Sequence, residues 1–312
     1  MNYFTIDKPY NSLNQYYKNK FNKKVAKIAL NSNFTCPNRD GTKGVGGCIF
    51  CSNAGSGDLA GDKNKALKDQ FNDISKIMLN KWPDSSFIPY LQSFSNTYKD
   101  INELKKIYDE CINLSDNIVG FDIATRADCI NEDIAKLLND YNKKIPITVE
   151  LGLQTSNEET AKKINRCLTN LEFENAVKIL RKYNIEIVVH IINGLPGEDI
   201  NDMLNTIKYI NKLDIQGIKF HSLLVLKNTK LYDEYLKEKF HILSLEEYVK
   251  ITSLQISYLK DDIIIHRLAA DGIINDLIEP KWTIKKLVVM NEIDKYLRNN
   301  NLYQGIYYKK DE

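Results

Sequence analysis

At 312 residues and 43% hydrophobic content the chain can bury a sizeable core, and it lies within the length range of a single β/α barrel. Six lysines fall in the first thirty residues without an apolar run like that of a signal peptide, and nowhere do about 18 uncharged apolar residues occur in succession, so we expect a soluble cytoplasmic protein with no membrane partner. The net charge of +2 is uneven: residues 1–30 (six Lys, one Asp) and 281–312 (seven basic, four acidic) are basic and the middle is acidic, a pattern that suits either solvated ends or attraction to a polyanion such as RNA.

Taken in chain order, short β-branched or aromatic runs predict strands near 25–30, 86–93, 118–124, 146–153, 186–193 and 217–225, with a further one near 263–268. Between them lie amphipathic stretches such as Leu67, Phe71, Ile74, Ile77 and Met78, or Ile200, Met203, Leu204 and Ile207, each with its apolar side chains on one helical face. The alternation predicts repeated β/α units around a parallel sheet. Residues 1–24 read as a basic N-terminal segment, 25–271 as the barrel, and 272–312 as a C-terminal helical extension carrying Ile284, Leu287, Val288, Ile293 and Leu297. In such barrels the chemistry gathers at the C-terminal ends of the strands, so the informative residues should follow strands.

Six cysteines in a chain with no sign of secretion argue against a disulfide framework. Cys36, Cys48 and Cys51 follow the first predicted strand in one loop with Gly41, Gly44, Gly46 and Gly47, which allow the backbone to curl until three sulfurs point at one inorganic core. Three ligands leave a position open: a structural zinc site calls for a closed fourth ligand, and an electron-transfer cluster for a fourth cysteine. On a [4Fe-4S] cluster one iron then remains free for the amino and carboxylate groups of S-adenosylmethionine (SAM). Zinc with a distant ligand such as His190, or three thiols brought together by chance, are the alternatives. Cys111, Cys129 and Cys167 each sit singly in or beside a predicted helix and read as structural.

Eight segments in order carry a resemblance that runs through almost the whole chain: FTCPNRDGTKGVGGCIFC (34–51), YLQSFSNTY (90–98), GFDIATRADC (120–129), ELGLQTS (150–156), HIINGLPGE (190–198), KFHSLLVLKNT (219–229), HRLAADG (266–272) and PKW (280–282). Together they resemble the YhcC-type radical SAM proteins, relatives of the Elongator catalytic subunit and of oxygen-independent coproporphyrinogen oxidase. The cysteine spacing, eleven residues then two, resembles the longer first spacer of that branch rather than the commoner three then two. The resemblance implies a partial (β/α)6 TIM-like barrel of the radical SAM type. It implies a [4Fe-4S] cluster on Cys36, Cys48 and Cys51, SAM as the second cofactor, and a reductant such as flavodoxin or ferredoxin. The implied chemistry is reductive cleavage of SAM to a 5′-deoxyadenosyl radical that abstracts hydrogen, with the protein positioning and shielding it.

Site residues follow from the same resemblance. Gln92 and Ser93, with Phe94 and Ser95, occupy the place where many relatives hold the SAM amino group with a glycine-rich stretch. Arg126 is a candidate partner of the SAM carboxylate, with Ala124 standing where Elongator-like proteins carry an acid. Gln154 and Arg166 match residues that hold SAM ribose and carboxylate in the porphyrinogen oxidase, and His190 matches a ribose contact there. Strand alternation puts Glu150 in the barrel interior with Gln154, where an ionised carboxylate needs a partner. His221, His266, Arg267 and Asp271 are substrate-side candidates. The substrate implied by the Elongator-like relationship and the basic ends is tRNA, at the C5 substituent of a wobble uridine. A small metabolite or porphyrin-like substrate, or a metal-binding protein without SAM cleavage, are the other readings.

Overall fold

The computed structural model describes residues 4–271 and 274–309, so Gly272 of the HRLAADG segment and the outermost residues of both basic ends lie outside the described residues. Nine strands occur in chain order: β1 (Val25–Leu30), β2 (Ser86–Leu91), β3 (Phe121–Thr125), β4 (Ile147–Gln154), β5 (Glu186–Asn193), β6 (Gly217–Ser222), β7 (Val225–Leu226), β8 (Ile264–Arg267) and β9 (Leu277–Glu279). Seven of them pair in parallel in the order β1-β2-β3-β4-β5-β6-β8. They form a curled half-barrel of six β/α units, with β8 as the further strand expected near 263–268. The helices are α1 (Leu13–Phe21), α2 (Leu67–Lys81), α3 (Ile101–Ile112), α4 (Glu132–Asn142), α5 (Glu158–Lys163), α6 (Asn170–Lys182), α7 (Ile200–Ile210), α8 (Lys230–Lys237), α9 (Leu245–Tyr258) and α10 (Lys286–Asn299).

Local chemistry explains where these elements start. Thr169 with Glu172, Asp199 with Asp202, and Ser244 with Glu247 make reciprocal capping boxes at α6, α7 and α9, satisfying N–H groups that a helix start leaves unpaired. Strand alternation then divides the side chains. On β4, Val149, Leu151 and Leu153 enter the core with Phe173, Val177 and Leu180 of α6, while Glu150, Gly152 and Gln154 face a cavity on the concave side.

One expectation is revised. The predicted strand 217–225 divides, because the chain leaves the parallel sheet after Ser222 and β7 pairs antiparallel with β9 of the C-terminal extension. The basic N-terminal segment does not approach the cavity. Its helix α1 lies across the N-terminal ends of the strands, with Tyr16 Oη 3.4 Å and Lys20 Nζ 3.6 Å from Glu186, the first residue of β5. Ile265 N–H donates to Asn11 O (2.7 Å), Asn11 N–H donates to Gln304 Oε1 (2.9 Å), and Lys8 pairs with Asp294 of α10 (2.6 Å), so both chain ends close that side of the sheet.

Leu151 is fully buried on the helix-facing side of β4, away from the cavity. Leu151→Ala should cost about 2–5 kcal/mol in urea unfolding, the usual cost of a cavity left by a core leucine, without loss of cluster binding on reconstitution.

Candidate active site

Cys36, Cys48 and Cys51 follow β1 and line one cavity of about 960 Å³ at the C-terminal ends of the strands. Their loop is clasped by the α5–α6 connection. Ile49 N–H donates to Ile164 O (3.1 Å), Asn165 Nδ2 donates to Gly47 O (2.8 Å), and Asn38 Nδ2 donates to Asn165 O (2.6 Å) while lying 3.6 Å from Cys48 Sγ. Gly44 has to be glycine here, since a Cβ would lie 2.2 Å from Asn38 Oδ1. Arg39 anchors the other side by donating to Cys51 O (3.3 Å) and stacking 5.3 Å from the centroid of Phe94.

These thiols fit a polynuclear iron-sulfur core. Among the described residues no three His, Cys, Asp or Glu side chains close on a single metal ion, whereas the three sulfurs border a space with room for a larger core. Burial, reinforced by Cys51 nearby, pushes the Cys48 thiol up to about 12, so its thiolate is sustained in this pocket only against a cationic centre. Cys111 is buried in the main core, consistent with packing alone. Cys167 lies closer to the cysteine loop than its sequence position suggests: a Cβ at Gly44 would be 2.9 Å from its Sγ.

The same cavity gathers Gln92, Arg126, Glu150, Gln154 and His190. Gln92 Nε2 donates to Ser56 O (2.8 Å). Arg126 is held by both oxygens of Asp128 (2.9 and 2.7 Å) and donates to Arg166 O (2.9 Å) and Cys167 O (3.2 Å). Gln154 ends β4 at φ 63°, in the left-handed region, beside a register shift after Gly152. A Cβ at Gly152 would lie 2.4 Å from the Gln154 amide, so the glycine makes room for that turn of the chain.

Two residues depart from expectation. The Ser93 hydroxyl is packed beneath Gly57, where a Cβ would come within 1.7 Å of it, and Ser93 is absent from the cavity wall. Arg166, 1% exposed, spends its guanidinium on the chain itself: it donates to Leu153 O (2.8 Å), Thr155 O (2.7 Å), Leu168 O (2.7 Å) and Asn170 Oδ1 (3.1 Å) and lies 3.5 Å from Glu158. It braces the end of β4 and has no donor left for a carboxylate in the cavity.

The cavity floor is a charged network that the sequence reading found only at Glu150 and His190. Glu150 pairs with Lys27 of β1 (2.9 Å) and with Lys219 of β6, and lies 2.7 Å from His190 Nε2 on β5; Lys27 also pairs with Asp122 of β3. Burial works against the charge of Glu150, yet Lys219 and Lys27 more than offset it and hold the carboxyl well below its usual range. Burial, with Lys219 adding to it, lowers His190 to about 4. A neutral His190 beside an ionised carboxylate carries its proton on Nε2, leaving Nδ1 as an acceptor. The signal for Lys27 and Lys219 was a lone lysine inside VAKIAL and GIKFHS, at the alternating positions that face inward.

An outer chamber of about 890 Å³ adjoins the cavity, sharing Phe50, Gln92, Gln154, His190, His221 and Arg267 with it. Its further wall holds Ile192, Leu223, Leu224 and Leu226, with Asp58 and Asp271. Of the substrate-side candidates, His221, Arg267 and Asp271 meet here, whereas His266 lies deeper, its Nδ1 3.4 Å from Lys27 Nζ.

Comparison with known proteins is consistent with this geometry. A family model described as the Radical SAM superfamily matches residues 36–210, and one described as the Radical_SAM C-terminal domain matches 215–299. The uncharacterized protein YtqA of Bacillus subtilis is 42% identical over 310 residues, covering 99% of this chain and 96% of that protein. Protein YhcC of Escherichia coli is 28% identical over 284 residues, covering 91% and 90%. Among solved structures, the Elp3 of the archaeon Methanocaldococcus infernus superposes with a TM-score of 0.68 at 17% identity, which speaks to fold; the match covers 90% of this chain but 64% of that one, so this chain spans under two thirds of its length.

Removing Glu150 strands the buried Lys219, while Lys27 keeps Asp122, so Glu150→Ala should cost on the order of 3–5 kcal/mol in unfolding free energy. Because the folded-state pKa of Glu150 is depressed from its ordinary 4.5, its contribution is present above that value and lost as pH falls through the depressed one. The stability deficit of Glu150→Gln, measured by denaturant titration across pH, should therefore be largest near neutrality and shrink under acid conditions.

Proposed function

This chain belongs to the radical SAM superfamily, and on that premise we propose that it is a cytoplasmic tRNA-modifying enzyme that abstracts hydrogen at the C5 substituent of a wobble uridine. It is a radical SAM enzyme whose cofactors are a [4Fe-4S] cluster and SAM. The observation that carries the reading is the convergence of Cys36, Cys48 and Cys51 with Gln92, Arg126, Gln154 and His190 on one cavity. The three cysteines would hold the cluster through their sulfurs. When bound, the cluster would pass one electron, taken from a reductant such as flavodoxin or ferredoxin, into SAM, and the cleavage of SAM to methionine would supply a 5′-deoxyadenosyl radical.

The protein's own part is to bind and to shield. Gln92, Gln154 and the acceptor nitrogen of His190 are placed to hold the polar edges of SAM, and Arg126 to meet its carboxylate by a charge-assisted hydrogen bond. Glu150 acts through His190, fixing its ring and proton. Phe50, shared by both chambers, keeps an apolar surface between them that limits water near the reacting carbon.

For RNA, the support is the C-terminal extension. Antiparallel pairing of β7 with β9 leads the chain to α10, whose first residue, Lys286, reaches Asp271 of the outer chamber at 2.7 Å, and α10 has no acidic residue in its first turn. The basic N-terminal segment, on the opposite side of the sheet, adds nothing to that surface. The apolar wall of Ile192, Leu223, Leu224 and Leu226 favours a second reading, the same chemistry on a small metabolite or porphyrin-like substrate.

The test is anaerobic reconstitution with iron and sulfide, followed by dithionite and SAM, with 5′-deoxyadenosine quantified. The expected outcome is product from the wild type, none from Cys48→Ala, and a severalfold increase when undermodified tRNA is added. Zinc bound in place of iron, with no product, defeats the reading; stimulation by a small-molecule extract but not by tRNA shifts it to the second substrate class.

A further inference from the structure

Arg267 ends β8 with its side chain 28% exposed and lines both chambers. Its anionic neighbour is Asp271, at 3.4 Å, but Asp271 is held more closely by Lys286, at 2.7 Å. One carboxylate thus faces two cations, and the positive charge of that group is not balanced within it. Asp58, the other carboxylate of the outer wall, is exposed and accepts from Ser52 Oγ (2.8 Å), so solvent screens it more than the half-enclosed guanidinium.

A second observation points to the same ligand. His221 Nε2, on the same face of β6 as Lys219, is buried beside both chambers with no hydrogen-bond partner among the described residues. Buried polar atoms seldom go unpaired unless a ligand or water completes them. Burial, and His190 stacked at 5.1 Å, keep His221 neutral. A guanidinium and a neutral imidazole at the edge of an apolar chamber suit a carboxylate or phosphate carried on a flat, largely apolar body.

We propose that Arg267, with His221, forms a substrate subsite that binds an anionic group of the substrate and so sets which substrates enter the outer chamber. The inference rests on the reading of the inner cavity as the SAM site, which leaves the outer chamber to the substrate. For a tRNA substrate the anion is either a backbone phosphate or a carboxylate on the base.

The experiment is calorimetric titration of the reconstituted protein with uridine, uridine 5′-monophosphate and 5-carboxyuridine, with SAM titrated separately. Wild type should bind one of the charged probes roughly tenfold more tightly than uridine, a gain typical of a charge-assisted hydrogen bond. The monophosphate being favoured identifies the phosphate source, and the carboxylate probe the base. Arg267→Gln should lose that preference while still binding uridine, which also shows that it is folded, and Arg267→Lys should recover part of it. Equal affinity of wild type for all three probes overturns the proposal, as does a preference that survives in Arg267→Gln, or loss of SAM binding with the preference intact. Failure of wild type to bind SAM instead defeats the reading of the inner cavity, and the probe affinities decide the subsite on their own.

Discussion

A carboxylate placed beyond the reach of water needs positive charge from elsewhere in the chain, and Glu150 draws it from two other strands, with a neutral imidazole from a third. Lys27 comes from β1, Lys219 from β6 and His190 from β5, while Lys27 also holds Asp122 on β3. These bonds run across the concave face rather than along the sheet, so they fix how strongly it curls as well as which strands are neighbours. The cysteine loop after β1 and the left-handed turn at Gln154 are positioned by strands that this network ties together. Breaking one partner would leave a buried charge uncompensated, which makes the arrangement costly to alter piecemeal.

The floor and the walls of the site are built by different means. Below, charges satisfy one another; above, atoms are left for something else to satisfy. The inner cavity carries thiols and polar side chains from all seven parallel strands or the loops that follow them, and the outer chamber carries leucines with His221 Nε2 unpaired among the described residues. That division matches an enzyme in which the cofactors bring the reactivity and the chain brings shape, charge and exclusion of water.

Much of this was legible in the sequence. Strand positions showed because the parallel sheet is covered by helices and its strands read as short apolar runs. The cysteine loop showed because thiols and glycines at that density have few structural uses, and Glu150 because a carboxylate in the middle of a strand is anomalous. Lys27 and Lys219 were missed because a single lysine in a strand reads as an edge or surface residue until its partner, distant in sequence, is known. Arg166 misled for the converse reason: its spacing from Gln154 suited a ligand contact, but the carbonyls it binds at 153, 155 and 168 become neighbours only when the chain turns back on itself. The end of β6 was overrun because Leu223 and Leu224 continue the apolar pattern while leaving the sheet for the chamber wall.

The closure of the lower side of the sheet by both chain ends has a bearing on biosynthesis. Asn11 is made early, yet its backbone N–H partner, Gln304, emerges from the ribosome 293 residues later, and Asp294, which holds Lys8 and Tyr10, arrives only shortly before. A nascent chain can pair its strands in order, but it cannot complete that seal before Gln304 has been made. Until then the tyrosines of α1 and the start of the first strand stay provisional. That late folding event lies at the opposite end of the strands from the cysteine loop, so the two are separated in space.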